Sequence, residues 1–180
     1  MKILFIKPPN HGFYHEIVRY YPVGLAYLAA ACRENGFEVK IFDSLVYTED
    51  NCILSDDKLS EGQIYKKNHH PSWNNIISWG ASYKRIEKKI REEKPDVVSI
   101  TAMHSPMYDT AYKIAEIVKE INFNIKVIMG GSHPSIAPEH VLRRSQVDYV
   151  LMGEGEDSIV ELMKCISERS DPVLVDGIAY

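Results

Sequence analysis

Short, unbroken apolar runs alternate with stretches in which apolar residues recur every three or four positions. Residues 2–6 (Lys-Ile-Leu-Phe-Ile) form the first such run, halted by Pro8-Pro9. The pattern then predicts a helix over 23–35, with Leu25, Leu28, Ala29 and Cys32 on one face and Gly36 as its stop. A second strand is expected over 37–42, with Asp43 at its end. A helix over 82–93 follows, with Ser82 as its cap and Tyr83, Ile86 and Ile90 sharing a face. Residues 96–102 read as the third strand and 109–121 as a strongly amphipathic helix. Residues 125–129 are the fourth strand and 138–143 a short helix with proline in its first turn. Residues 148–152 are a short fifth strand, leading through Gly153-Glu154-Gly155-Glu156 into a helix over 157–168. Residues 173–180 are a candidate for an additional strand.

Continuous apolar strands are buried on both faces, which is the mark of parallel sheets covered by helices. The alternation therefore implies an α/β fold: a doubly wound, Rossmann- or flavodoxin-like, mainly parallel five-stranded sheet with helices on both faces. The 180 residues suffice for one domain with a single core, interrupted by an irregular insertion at about 44–80. That insertion carries His69-His70, Trp73 and Trp79, and its length exceeds the usual connection in a compact domain.

Composition narrows the function more than it names it. The hydrophobic share is 45%, the charged share 26% and the net charge −4. Lysines and arginines are spread out, so no basic face for nucleic acid is expected. No apolar run approaches the roughly 20 residues needed to span a bilayer, and the N-terminus lacks a signal-peptide core. A cytoplasmic protein is expected. Cys32, Cys52 and Cys165 are scattered and odd in number, which fits buried or incidental thiols rather than disulfides or a metal centre.

In a sheet of this kind ligands bind outside the carboxyl ends of the strands, near a topological switch point. The polar and glycine residues gather at those ends: Lys7 to His11, Asp43, Thr101 to Ser105, Gly130 to His133, and Gly153 to Glu156. The glycine pair Gly130-Gly131 ends its strand abruptly, as it would where something large lies against the backbone. No Gly-x-Gly-x-x-Gly, Walker-type Gly-Lys-Ser/Thr or Gly-x-Ser-x-Gly occurs, so the common nucleotide and hydrolase readings lack their motifs. The first strand also lacks the acidic cluster of a phospho-receiver. His104 and His133 sit beside the expected site, and each is read as a hydrogen-bonding loop residue rather than a metal ligand. Glu156, at a helix start, suits the helix dipole.

The ordered set of motifs resembles the N-terminal cobalamin-binding domain of class B radical S-adenosylmethionine enzymes, a group that includes methyltransferases and the anaerobic magnesium-protoporphyrin monomethyl ester cyclase. It consists of Pro8-Pro9, Pro22-Val23-Gly24-Leu25-Ala26-Tyr27-Leu28-Ala29-Ala30, Pro95-Asp96-Val97-Val98 with Thr101-Ala102-Met103, Gly130-Gly131-Ser132-His133-Pro134-Ser135, Pro138-Glu139, and Asp148-Tyr149-Val150 before Gly153-Glu154-Gly155-Glu156. The resemblance covers nearly the whole chain, weakly across 44–80. It implies that the nucleotide tail of cobalamin descends beside the third and fourth strands, against Thr101, Met103, Gly130, Gly131 and Ser132, with Gly153, Glu154 and Gly155 nearby. It places the corrin ring over Pro9, Asn10, Met103 and His104. The Asp-x-His-x-x-Gly motif that supplies an axial histidine in the methionine-synthase type is absent, so base-off binding without a histidine ligand is expected.

The Cys-x-x-x-Cys-x-x-Cys motif of the radical domain is also absent from these residues. S-adenosylmethionine and a 4Fe-4S cluster would thus belong to a catalytic domain acting in cis or in trans. On this reading the chain is a binding module with no catalytic or metal-ligating residues of its own, serving methyl transfer or oxidative cyclisation. The alternatives are a degenerate domain without corrin that serves as a protein–protein or substrate-recognition platform, and a flavodoxin-like or nucleotide-binding protein.

Overall fold

The computed structural model describes residues 1–12, 21–46, 77–103 and 108–180. Strand β1 (Lys2–Lys7) is buried almost throughout. It is followed by the short β2 (Asn10–Gly12), helix α1 (Val23–Glu34) and β3 (Glu38–Asp43). Then come β4 (Ile77–Trp79), α2 (Tyr83–Glu93), β5 (Val97–Thr101), α3 (Tyr108–Ile121) and β6 (Lys126–Gly130). Two five-residue helices, α4 (Ser132–Ile136) and α5 (Pro138–Leu142), lead to β7 (Tyr149–Leu151), α6 (Glu156–Glu168) and β8 (Ile178–Ala179).

The main sheet has the order β3-β1-β5-β6-β7-β8. The five expected strands form its parallel part, and β8 adds a sixth strand antiparallel to β7. The chain moves from β1 outward to β3 and then back across to β5, so the switch point lies between β1 and β5. Two apolar clusters cover the two faces. One joins Leu4, Ile6, Val98 and Ile100 to Ile86 and Ile90 of α2 and to Ile114 and Val118 of α3. The other joins Ile3, Phe5 and Ile128 to Leu25, Ala29 and Cys32 of α1 and to Ile159, Leu162 and Met163 of α6. Burial pushes the Cys32 thiol up to about 12, so it stays protonated and inert at neutral pH.

Two local expectations are corrected. Residues 10–12, expected among the polar residues after the first strand, and 77–79, expected within the irregular insertion, pair as an antiparallel two-stranded ribbon. Neither segment shows an alternation long enough to be read alone, because each is three residues long. Residues 132–136, read as loop, form a helical turn in which the N–H of Ser135 donates to Gly131 O and that of Ala137 to His133 O. Most of the insertion, with Cys52, His69, His70 and Trp73, lies outside the described residues. Its base is closed where the N–H of Ala81 donates to Ser44 O at 2.8 Å.

Candidate functional site

A cavity of about 570 Å³ opens at the carboxyl ends of the strands, on the sheet face covered by α1 and α6. Its floor and one wall come from the sheet: Lys7 at the end of β1, Ser99 to Thr101 of β5, Gly130 of β6 and Leu151 of β7. The other wall is the start of α1, from Tyr21 to Leu25 with Leu28, and the start of α6 at Gly155-Glu156. Alternation along β5 explains the chemistry of the sheet wall. Val97, Ser99 and Thr101 share one face, and Val97 belongs to the cluster beneath α1 and α6. Ser99 and Thr101, both nearly buried, accordingly border the cavity, and neither hydroxyl makes a hydrogen bond among the described residues.

Lys7 is the unusual residue of the rim. Its side chain is buried, 1% exposed, and Nζ lies 3.2 Å from Oδ2 of Asp43, its register partner on β3. Asp43 Oδ1 also accepts the N–H of Leu45 at 2.9 Å, so the carboxylate is held at both oxygens. Burying an ammonium is costly unless a carboxylate stands beside it, as Asp43 does here. The pair places a fixed positive group on the cavity wall beside the switch point.

The glycines divide by what they do. Gly131 has φ +114°, and a Cβ there would stand 2.9 Å from Ala102 O. The end of β6 therefore packs directly on the end of β5, and the N–H of Ala102 donates to Gly130 O at 2.7 Å. At Gly130 a Cβ would make ordinary contact with Leu151 at 3.4 Å. Gly155 would meet Leu151 Cδ2 at 2.6 Å and Leu28 Cδ2 at 3.2 Å, so it lets α6 start close against β7 and α1. Ser135 ties two of the loops together: its Oγ donates to Gly131 O at 2.9 Å and accepts the N–H of Gly153 at 3.0 Å.

The structure brings Thr101, Met103, Gly130, Gly131 and Ser132 to the cavity, with Gly153, Glu154 and Gly155 from the loop after β7. Pro9 and Asn10 do not line it. Pro9 is buried near Gly80, and Asn10 opens the ribbon opposite Trp79. His104 lies outside the described residues. Sequence reasoning left out of its site Lys7, Ser99, Ser135 and the first turn of α1. Alternation from Thr101 back to Ser99 would have found the serine. The same alternation, Ile3-Phe5-Lys7 along β1, puts Lys7 on the face covered by α1 and α6.

His133 does not line the cavity. Its ring stacks on Tyr108, with centroids 5.3 Å apart, and meets His140 edge-on at 5.7 Å. Burial, and then the neighbouring His140, hold its imidazole below the usual histidine range, so it is neutral at pH 7. Among the described residues no group of three or more His, Cys, Asp or Glu is placed to hold a metal ion. No helix among them is long and apolar enough to cross a membrane.

An uncharacterised methyltransferase of Pyrococcus horikoshii is 34% identical over 183 residues, a match covering 100% of this chain and 32% of the relative. The anaerobic magnesium-protoporphyrin IX monomethyl ester cyclase of Rubrivivax gelatinosus is 29% identical over 185 residues, covering 100% of this chain and 28% of the relative. The chain thus spans about a third of the length of these curated relatives. Among solved structures, the radical S-adenosylmethionine methyltransferase TsrM from Kitasatospora setae, with cobalamin and a 4Fe-4S cluster bound, shares the fold. Its TM-score is 0.67 at 18% identity, over 98% of this chain and 26% of that one. The B12 binding domain family matches residues 68–163, over half of the chain and the part that supplies β5, β6, β7 and the glycine loops. The chain belongs to the B12-binding domain family.

Proposed function

We propose that these 180 residues act as one cobalamin-binding unit that holds the cofactor base-off for a radical S-adenosylmethionine catalytic domain, in cis or in trans. The single observation that carries the reading is the cavity between α1, α6 and the ends of β5 and β6. Its volume falls within the roughly 300–1,000 Å³ of ordinary ligand pockets, which suits a nucleotide tail and leaves a macrocycle outside. Its wall presents two hydroxyls without partners among the described residues, Ser99 and Thr101, which fit the polar edge of a heteroaromatic base. Cobalamin, when bound, supplies the methyl-transfer chemistry, or the chemistry that assists an oxidative cyclisation.

The residues of the chain bind, orient and exclude water. Ser99 and Thr101 would donate to the base and Lys7 would face the negative charge of the tail. Met103, 40% exposed, and the exposed Tyr21 and Val23 offer an apolar rim for the underside of the ring. The absence of a membrane-crossing helix among the described residues suits a cytoplasmic protein.

The test is direct. The chain is mixed with hydroxocobalamin at micromolar concentration, free ligand is removed by gel filtration, and the visible spectrum is recorded. About one equivalent of corrin absorbance is expected to stay with the protein, and a colourless protein would refute the reading. His133→Ala is expected to leave the spectrum unchanged, whereas Ser99→Ala with Thr101→Val lowers retention several-fold.

A further inference from the structure

We propose that Gly24 sets the size of the nucleotide tail that the cavity admits, an inference that rests on the cobalamin reading. Gly24 lies in the first turn of α1 and lines the cavity. The neighbouring glycines have reasons inside the fold. Gly131 and Gly153 take positive φ, and a Cβ at Gly155 would crowd the side chains of Leu151 and Leu28. Gly24 has neither reason: its φ is not in the left-handed region, and among the described residues a Cβ there would meet nothing within 4 Å. Glycine is otherwise a poor choice in a helix, because it loses more backbone freedom on folding than alanine does.

Gly24 is exposed and lines the cavity, so the space beside it is continuous with the ligand side. Positions i and i+4 stand one above the other on a helix face. Four residues after Gly24, Leu28 lines the cavity and reaches across to the start of α6, where its Cδ2 lies 3.2 Å from the point a Gly155 Cβ would occupy. A side chain at 24 would stand on the same stripe, one turn nearer the mouth. The sheet wall beneath α1 carries the Ser99 and Thr101 hydroxyls. A flat bicyclic base hydrogen-bonded to those hydroxyls would use the width that Gly24 leaves empty. The ligand class is therefore a corrinoid carrying its complete lower nucleotide, while cobinamide, which lacks that nucleotide, makes no contact at this position.

The experiment compares the wild type, Gly24→Ala, Gly24→Leu and Ala26→Leu, the last an exposed α1 position that does not line the cavity. Each is titrated with hydroxocobalamin and with dicyanocobinamide, and its thermal midpoint is measured. Gly24→Leu is expected to weaken cobalamin binding by about tenfold or more, as overfilling a packed site does. Ala26→Leu should bind as the wild type does, Gly24→Leu and the wild type should hold cobinamide equally, and Gly24→Ala should melt no lower than the wild type. Unchanged cobalamin affinity in Gly24→Leu, equal losses for both corrinoids, or a lowered midpoint in Gly24→Ala would each overturn the inference. A wild type that retains no cobalamin overturns the functional reading itself, and so differs from a wild type that binds while Gly24→Leu is indifferent.

Discussion

Gly130 and Gly131, adjacent and chemically identical, do different work. A Cβ at Gly130 would touch Leu151 at an ordinary distance, whereas one at Gly131 would strike the Ala102 carbonyl from a backbone with φ +114°. The strand-end glycine pair thus owes its second member to the meeting of β5 and β6 and not to ligand clearance. Gly131→Ala is expected to cost roughly 1–3 kcal/mol, since it combines backbone strain with overpacking, and Gly130→Ala well under that. Chemical denaturation checks both, and equal midpoints for the two variants would show that the Ala102 backbone yields. Lys7 teaches a related lesson. Its place at the end of a strand and the face it takes were legible, but its partner Asp43 lies 36 residues away and is brought alongside by parallel pairing.

At the scale of elements, α2 and β1 are joined at the far end of the sheet by charge. Glu93 accepts from Lys2 Nζ at 2.7 Å and pairs with Lys89 Nζ at 2.6 Å, one turn earlier on α2. These bonds, Lys2's first, hold the Glu93 carboxyl down at about 2, well below its ordinary 4.5. A carboxyl that is more acidic in the folded state binds fewer protons there than in the unfolded chain. Its contribution is therefore complete above about pH 4.5 and is lost as pH falls toward about 2. Glu93→Gln should be less stable than the wild type at pH 7, with the gap closing as pH falls through that window. Denaturant titrations at pH 7, 4 and 2.5 measure the gap; one that stays constant would remove Glu93 from the account. Helix α2 itself was legible nearly to the residue, because Ser82 accepts the N–H of Arg85 as its cap and Lys94 ends it in the left-handed region. The β2–β4 ribbon was not, because three-residue strands are specified only by the partner that reaches them.

For the whole molecule, the cavity is a product of layer packing: the first turns of α1 and α6 stand over the carboxyl ends of β5, β6 and β7 on one sheet face. A ligand that binds only this assembled state must stabilise it by mass action. Hydroxocobalamin at about a hundred times its dissociation constant should add roughly 2.7 kcal/mol to unfolding, a rise read as a higher thermal midpoint. No shift at saturation would mean that the unfolded chain binds equally well. The alternation of apolar runs and helical stripes by itself determined the α/β class, the five parallel strands and the rim where polar residues gather, because burial on both faces leaves a direct mark on composition. Tertiary structure alone decided which of those rim residues share one space. Thr101 and Gly131 do, Pro9 and Asn10 do not, and Ser99, Lys7 and Gly24 join them. Strand order and helix docking set that membership, and both arise from contacts between residues far apart in the chain.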